Sequence, residues 1–338
     1  CDINPVATLI AKVKSESYDI EAVKTFFLRI SAAYPNAEID GAAYENANER
    51  LRYWFTQNSY TQLLRLKTAI ELNVHDAKYL DAFYCLFSSI LKTSSKWLTK
   101  SIKPQIDPNK KEIVVWDAFV QQYNKFVKSI EQLNKKSIFN SSIVIENENF
   151  LEATDIPDVD LIISSPPYVT SYEYADLHQL STLWLGFVDD YKILRKGTIG
   201  SIYHESDYED NLNQLSPIGL DIVSSLYKVD KSKAKAASKY FVDMQKVTSK
   251  AFQLLNNNGY SLFVIGNTEY KKVKIDNAKH LIESMYSAGF RDLEIIQRKI
   301  SKKILTPYRD SRGKFTSNKN SRQVYSEEFI IIGKKYED

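Results

Sequence analysis

Residues 160–168 read Asp-Leu-Ile-Ile-Ser-Ser-Pro-Pro-Tyr, and this stretch decides the fold. The acid and the aliphatic residues after it predict a buried parallel strand. The strand must stop at Pro166 and Pro167, because proline offers no backbone donor to a sheet and holds φ at about −65°. The stretch therefore predicts a stiff loop at the carboxyl end of a strand, where open α/β sheets bind their ligands.

The loop carries groups that suit an exocyclic amine. Ser165 and the Pro166 carbonyl can accept hydrogen bonds from an –NH2 group, and Tyr168 can stack on the ring that carries it. An amine held in this way would aim its lone pair at an electrophile. A proline-stiffened turn without chemistry is the alternative interpretation, and the strand that precedes the loop makes it the weaker one.

This segment resembles the catalytic motif of the S-adenosylmethionine-dependent amino-methyltransferases of DNA. In that family Asp, Asn or Ser precedes Pro-Pro-Tyr or Pro-Pro-Phe at the end of the fourth strand. Residues 164–168 match the Ser form, which is associated mainly with N4-cytosine methylation, and residues 169–185 are also similar. The resemblance implies S-adenosyl-L-methionine as cofactor and double-stranded DNA as partner. It implies catalytic roles for four loop residues and a cofactor contact for a fifth, namely Ser165, Pro166, Pro167, Tyr168 and Ser164.

Composition limits the class of protein. A chain of 338 residues with 43% apolar content can bury a large core, and a net charge of +3 decides nothing by itself. Cys1 and Cys85 provide neither a disulfide framework nor a metal cluster, so a reducing cytoplasm is the expected location. We expect no metal, since the four histidines are scattered. We also expect no membrane, since no apolar run approaches ~20 residues.

The first residues indicate the end of a strand that runs into a helix. Asn4 and Pro5 are typical of an N-cap and a first helical turn, and the apolar residues after them follow helical spacing. The resemblance implies that Asp2 is the acid at the end of the family's second strand, which accepts hydrogen bonds from the cofactor ribose. Asn4 belongs to the same cofactor-binding motif.

The family's glycine loop, F-x-G-x-G-T, is not found. Only Gly41 lies before Gly186 among the ten glycines, and no G-x-G occurs. By resemblance that loop and the first strand should precede Asp2, where the backbone must approach the cofactor closely. We therefore expect a companion segment, from the same gene or from a second polypeptide, to supply both by strand addition. A degenerate protein without cofactor binding is the alternative.

Two insertions are expected. Residues 16–140 predict a helical insertion whose later part is basic and forms either a solvated face or a phosphate-contacting surface. A third strand is predicted at 143–145, and the resemblance implies an adenine contact after it, at Glu148 or Asn149. Residues 189–232 predict a second insertion, a loop that could close over a flipped base.

The C-terminal part predicts alternating helices and strands. In order, they are a helix over about 233–255, a strand at 260–265, a helix at 278–288 and strands at 292–297 and 329–332. With the resemblance, this order implies an α/β fold: a Rossmann-like class I methyltransferase sheet with an antiparallel last strand. The core is expected in residues 1–15, 141–188 and 233–338.

A basic segment, residues 298–322, lies between the last two predicted strands. Asp310 is its only acid, and aromatic and small polar residues are interspersed among its cations. The composition is typical of an arm that contacts phosphates and stacks on bases, and a solvated loop is the alternative. The residues expected to contact nucleic acid are Arg298, Lys302, Lys303, Arg309, Arg312, Lys314 and Arg322.

Four functions stay open from the sequence. N4-cytosine methylation of DNA leads because of the Ser form, and N6-adenine methylation follows because Pro-Pro-Tyr geometry serves both amines. An RNA guanine-amine methyltransferase is a third hypothesis, and a non-catalytic DNA-binding subunit on the same sheet is a fourth. C5-cytosine methylation is excluded, since it uses a cysteine after a proline and neither cysteine follows one. In the leading hypotheses the target nucleotide is flipped out and its exocyclic nitrogen attacks the methyl donor directly.

Overall fold

The computed structural model describes residues 1–134, 141–169, 173–201, 203, 207–300, 308–310, 316–323 and 327–337. These residues form two compact units. The first unit comprises Cys1–Glu148 and Tyr172–Leu194, and the second comprises Asn149–Ser171 and Arg195–Asp338. The chain therefore passes from the second unit to the first shortly after Tyr168.

The first unit is helical in its described residues. Its α-helices are α1 Pro5–Ser15, α2 Ile20–Ala33, α3 Glu49–Trp54, α4 Gln57–Asn73, α5 Ala77–Ser94, α6 Val115–Asn134 and α7 Tyr174–Trp184. Short polar side chains begin most of them, because each accepts a hydrogen bond from a backbone N–H of the first turn that has no partner inside the helix. These caps are Asn4, Asp19, Asn48, Thr56 and Asp76. The helices that the periodicity predicts between residues 16 and 140 are present as α2 to α6.

Aromatic rings fill the core of the first unit. The ring of Trp184, on α7, lies 4.8 to 5.8 Å from the rings of Phe55, Tyr60 and Phe87. All four side chains are buried, and rings of this size contribute most of the apolar area that a core removes from water. The helix that follows the predicted catalytic loop in the chain is thus anchored in the helical unit.

The second unit contains a mixed four-stranded sheet. The strands of this unit are β1 Val159–Ser164, β2 Leu255–Ile265, β3 Thr268–Tyr270, β4 Val273–Ile275, β5 Arg291–Lys299, β6 Tyr308–Arg309, β7 Arg322–Gln323 and β8 Glu327–Lys334. The sheet order is β1-β2-β8-β5, with β1 parallel to β2 and β8 antiparallel to both of its neighbours. The prediction of a mixed α/β architecture is confirmed.

Helices cover one face of this sheet. The α-helices of the second unit are α8 Tyr208–Gln214, α9 Pro217–Tyr227, α10 Lys231–Leu254 and α11 Asn277–Ala288. Alternate residues of β2, Phe263 and Ile265, are buried together with Phe241 of α10 and Leu281 of α11. The period of two along the strand therefore selects the face that packs against the helices.

The alternate residues Leu161 and Ile163 of β1 are exposed. Leu161 is 53% exposed and Ile163 is 67% exposed, and no strand in the described residues pairs with the second edge of β1. The expectation of a buried strand is therefore wrong, although the parallel pairing is present. An aliphatic run predicts the strand itself, whereas its burial depends on what lies beside it.

The predicted third strand at 143–145 is not present as a strand. Ile143 is 54% exposed and Val144 is 75% exposed, and the segment has no place in the sheets of the described residues. Its neighbour Glu146 accepts one backbone hydrogen bond, from the Asp2 N–H at 3.0 Å. A single bond of this kind does not make a ladder, so three aliphatic residues were an insufficient signal.

Candidate active site

The predicted catalytic loop follows β1 directly. Ser164 is the last residue of the strand and pairs with Phe263 of β2. Pro166 is buried, Pro167 and Tyr168 are half-buried, and Ser165 is exposed. The buried proline fixes the loop to the second unit, while Ser165 beside it is accessible to solvent.

The Ser165 hydroxyl is oriented by the neighbouring strand. Its Oγ donates a hydrogen bond to the Val264 carbonyl of β2, at 3.3 Å. Because a hydroxyl has one proton and two lone pairs, this bond leaves the lone pairs of Oγ to accept hydrogen bonds. The local geometry therefore makes Ser165 an acceptor, which is what binding an –NH2 group requires.

Tyr168 lies against the end of β2. A Cβ added at Gly266 would be 3.1 Å from Tyr168 Cε2 and 3.5 Å from Cζ, so the ring rests on a backbone without a side chain. Asn277 of α11 holds that backbone, since its Nδ2 donates to the Gly266 carbonyl at 2.9 Å. Gly266 and Asn277 are site residues that sequence reasoning missed. The sequence signal that could have identified Gly266 is its position directly after β2, the next strand of the sheet along the chain.

Three predicted cofactor residues meet in the first unit. Asp2 Oδ1 accepts a hydrogen bond from the Asn4 N–H at 2.8 Å, and Asn4 Oδ1 accepts from the Val6 N–H at 3.0 Å, which caps α1. The Glu148 carbonyl accepts a hydrogen bond from Cys1 Sγ at 3.2 Å. The exposed Asp2 carboxylate is thus fixed at a helix start, close to Glu148.

His178 on α7 is also influenced by Asp2. Burial lowers the pKa of His178, and the charge of the Asp2 carboxylate acts in the opposite direction. Helix α7 and the N-terminal acid are therefore electrostatic neighbours within the first unit.

Asn149 belongs to the second unit, where its side chain is used locally. Its Oδ1 accepts from the Leu151 N–H at 3.0 Å, and its Nδ2 donates to Glu152 Oε1 at 3.1 Å. Asn149 begins a tight turn with these bonds. These bonds use one N–H and one lone pair of the amide, which leaves a second N–H and a second lone pair to bind a ligand.

The basic segment is described only in part. Arg298, on β5, forms an ion pair with Glu328 of β8. Arg309 and Arg322 pair through their backbones as part of β6 and β7, and their side chains lie outside the described residues. Lys302, Lys303, Arg312 and Lys314 lie outside the described residues as well.

The described part of the chain contains neither a membrane-spanning helix nor a cluster of metal ligands. No helix there has the length and apolarity needed to cross a membrane. No group of three or more His, Cys, Asp and Glu side chains there is arranged to hold a metal ion.

Comparison with known proteins identifies a DNA methyltransferase relative. The chain is homologous to the type II methyltransferase M.MvaI of Kocuria varians. The two sequences are 20% identical over an alignment of 365 positions, gaps included, which covers 99% of this chain and 79% of that protein. No protein-family model matches the chain.

Two solved structures are also similar, both of a protein from Thermus thermophilus that is described as a DNA modification methylase. One has a TM-score of 0.27 and 13% identity over 56% of this chain and 50% of that chain. The selenomethionine derivative has a TM-score of 0.22 and 14% identity over 33% of this chain and 42% of that chain. The chain thus matches half or less of their length.

Proposed function

We propose that the chain is the catalytic part of a DNA methyltransferase that transfers a methyl group from S-adenosyl-L-methionine to an exocyclic amine, cytosine N4 foremost. The observation that carries this proposal is the Ser165 hydroxyl, which donates to the Val264 carbonyl and keeps its lone pairs for an incoming –NH2 group. Homology to a type II DNA methyltransferase supports DNA as the substrate.

The loop performs positioning and not covalent chemistry. Ser165 Oγ and the Pro166 carbonyl accept the two N–H bonds of the amine, so that the nitrogen lone pair points away from both. Tyr168 stacks on the flipped base and fixes its plane, because its own ring rests on Gly266. Orientation of this kind can lower a barrier by several kcal/mol without any enzyme intermediate.

The cofactor supplies an electrophilic methyl group. Asp2, Asn4 and Glu148 would hold it, and an exposed carboxylate fixed by a backbone N–H suits a pair of ribose hydroxyls. Glu148 or Asn149 would contact the adenine, since the Asn149 amide has one N–H and one lone pair beyond its bonds to Glu152 and Leu151.

The proposal includes a companion segment that carries F-x-G-x-G-T and lies beside Asp2. Its support is twofold: the sequence has no G-x-G, and no strand in the described residues pairs with the second edge of β1. Unpaired strand edges are normally covered. Calorimetric titration of S-adenosyl-L-methionine into the 338-residue chain should show no tight binding until the segment is added. Tight binding by the chain alone would contradict the companion.

The basic segment is proposed to contact DNA backbone phosphates. Replacing Arg309, Arg312 and Lys314 by Ala should weaken DNA binding and flatten its dependence on salt, by roughly one unit of log–log slope for each lost contact. An unchanged slope would support the solvated-loop interpretation instead.

Variants of the loop test the proposed function. Ser165→Ala and Tyr168→Ala should each reduce methyl transfer by at least ~10²-fold, because both side chains act on the amine and its ring. Ser232→Ala and Tyr286→Ala are matched controls on exposed residues of the second unit. Methyl transfer at the wild-type rate in either loop variant would refute the assignment.

A further inference from the structure

We infer that a rigid basic and aromatic surface of the first unit binds the backbone of the DNA duplex. The inference deepens the proposed function and rests on DNA being the substrate. We call this surface the Tyr53 face. It consists of Tyr53 at the end of α3, Arg50 one turn before it, and the loop between α5 and α6, which carries Lys96, Lys100 and Lys103.

An exposed aromatic ring lies among cations on this face. Tyr53 is 46% exposed and packs edge-on against Trp54, with ring centroids 5.1 Å apart and an interplanar angle of 87°. The Arg50 guanidinium lies 4.8 Å from the Tyr53 ring centroid, and Lys96 Nζ lies 5.8 Å from it. An accessible ring next to two cations fits a ligand that combines negative charge with sugar surface, which describes the backbone of nucleic acid.

The loop that carries the lysines is held in one shape. The Leu98 N–H donates to the Gln105 carbonyl at 2.7 Å, and the Asp107 N–H donates to the Lys96 carbonyl at 2.9 Å. Trp97 stacks on Trp54, with ring centroids 5.0 Å apart, which joins the loop to the end of α3. Tyr53 and Lys96 are therefore presented by elements that share a buried core.

Two other lysines, Lys92 and Lys110, donate hydrogen bonds to backbone carbonyls of the loop and of the end of α5. Lys92 Nζ donates to the Ser101 carbonyl at 2.8 Å, and Lys110 Nζ donates to the carbonyls of Lys92 and Trp97 at 2.8 and 2.7 Å. Burial, with the nearby charge of Lys92, lowers the pKa of Lys110 to about 8. These two side chains stabilise the loop, which distinguishes them from the exposed lysines at its tip.

The charge of the loop has one sign. Residues 96–106 contain three lysines and no acid, and Lys100 and Lys103 are exposed. Asp107 ends the run, and its Oδ1 accepts a hydrogen bond from the Asn109 N–H at 3.1 Å. A preorganised surface of this kind loses little conformational entropy when phosphates bind.

The experiment measures binding of the full chain to a fluorescein-labelled duplex by anisotropy, over about 50 to 300 mM salt. The variant Lys96→Gln/Lys100→Gln should reduce the log–log salt slope by about 1.8, since each phosphate contact contributes about 0.9. The control Lys125→Gln/Lys128→Gln removes the same charge from exposed residues of α6 and should leave the slope unchanged.

Tyr53 gives a second readout. Tyr53→Ala should weaken binding by about 5-fold at constant slope, because it removes no charge but removes the ring that holds Arg50 and Lys96 beside the backbone. Tyr53→Phe should restore most of the affinity. If the wild-type chain binds the duplex and the Lys96→Gln/Lys100→Gln variant has the same salt slope as the Lys125→Gln/Lys128→Gln control, this inference is overturned. That result would leave the proposed DNA substrate unaffected. Absence of duplex binding by the wild-type chain would overturn the inference together with the proposed DNA substrate.

Discussion

Ser165 and Tyr168 owe their geometry to residues of the adjacent strand. The Val264 carbonyl accepts a hydrogen bond from the Ser165 hydroxyl, and Gly266 leaves room for the ring of Tyr168. Both contacts come from the carboxyl end of β2, which runs parallel to β1. Parallel neighbours bring their carboxyl ends to one edge of a sheet, so a loop after one strand is shaped by the end of the next.

Gly266→Ala tests this arrangement at one residue. The new Cβ would lie 3.1 Å from Tyr168 Cε2, so the ring must move by a few tenths of an ångström. We expect kcat for methyl transfer to fall by roughly 3- to 10-fold with little change in thermal stability, because orientation and not folding is affected. Gly41→Ala is the control, since a Cβ there meets nothing within 4 Å. An unchanged kcat would show that Tyr168 does not need its present position.

The residues of the loop could be predicted from the sequence, and their supports could not. Pro166 and Pro167 after an aliphatic run are a local signal, since two prolines end a strand wherever they occur. The bond from Asn277 to the Gly266 carbonyl joins residues eleven positions apart through the packing of α11 on the sheet. Such a contact exists only in the folded chain.

At the scale of elements, α7 is fastened to α3 by one buried side chain. Gln179 Oε1 accepts hydrogen bonds from Trp54 Nε1 at 2.8 Å and from Arg50 Nε at 2.6 Å. Its Nε2 donates to the Asp176 carbonyl at 2.6 Å. Because α7 follows the catalytic loop in the chain, this residue fixes the first helix that the loop reaches.

Gln179→Leu should destabilise the first unit. The substitution leaves the N–H groups of Trp54 and Arg50 without their acceptor, and each unsatisfied group costs about 1–3 kcal/mol. We expect the free energy of unfolding to fall by about 2–4 kcal/mol in urea titrations followed by tryptophan fluorescence. All four tryptophans lie in the first unit, so this signal reports on it alone. Gln121→Leu on exposed α6 is the control, and an equal loss there would contradict the role of Gln179.

His280 of α11 makes the second unit sensitive to acid. Burial lowers the pKa of His280 to about 3, whereas an unfolded histidine has a pKa of about 6.5. Between these values the unfolded chain binds a proton that the folded chain does not, so stability is full above about pH 6.5 and falls as pH decreases towards about 3. From pH 6.5 to pH 5 the loss should be about 2 kcal/mol.

Far-UV circular dichroism during urea unfolding at the two pH values measures this loss. His280→Gln should make the second unit less dependent on pH, and the tryptophan signal of the first unit should not respond to the substitution. A proton NMR titration of the His280 ring provides a direct check. A transition near pH 6.5 would contradict a buried neutral imidazole.

Sequence patterns located six of the twelve described helices and strands of the second unit within a few residues. The strands predicted at 292–297 and 329–332 are observed as Arg291–Lys299 and Glu327–Lys334, and the helix predicted at 278–288 as Asn277–Ala288. These segments combine apolar periodicity with clear ends, such as Gly289 after the helix, whose φ is 115°. The prediction of a strand at 143–145 was wrong, because it rested only on three aliphatic residues. The expectation of a loop over residues 189–232 is wrong in part, since this segment contains α8 and α9, whose apolar residues Ile222 and Val223 are buried in the core.

At the scale of the whole molecule, residues assigned to one cofactor by resemblance belong to two compact units. Asp2, Asn4 and Glu148 lie in the first unit, and Asn149 and the loop after β1 lie in the second. The sequence places these residues at strand ends or helix starts, which local patterns can reveal. The division into units depends on which cores the helices join, and the aromatic packing around Trp184 was not visible in the spacing.

The most direct measurement is product analysis of DNA incubated with the chain, the glycine-loop segment and isotope-labelled S-adenosyl-L-methionine. After enzymatic digestion, mass spectrometry of the nucleosides should detect labelled N4-methylcytosine with the wild-type chain and a reduction of at least ~10²-fold with Ser165→Ala. Detection of labelled N6-methyladenine would support the same active site and would identify adenine, and not cytosine, as the target base. No labelled nucleoside, or equal labelling by Ser165→Ala, would contradict the claim that this loop performs amine methylation.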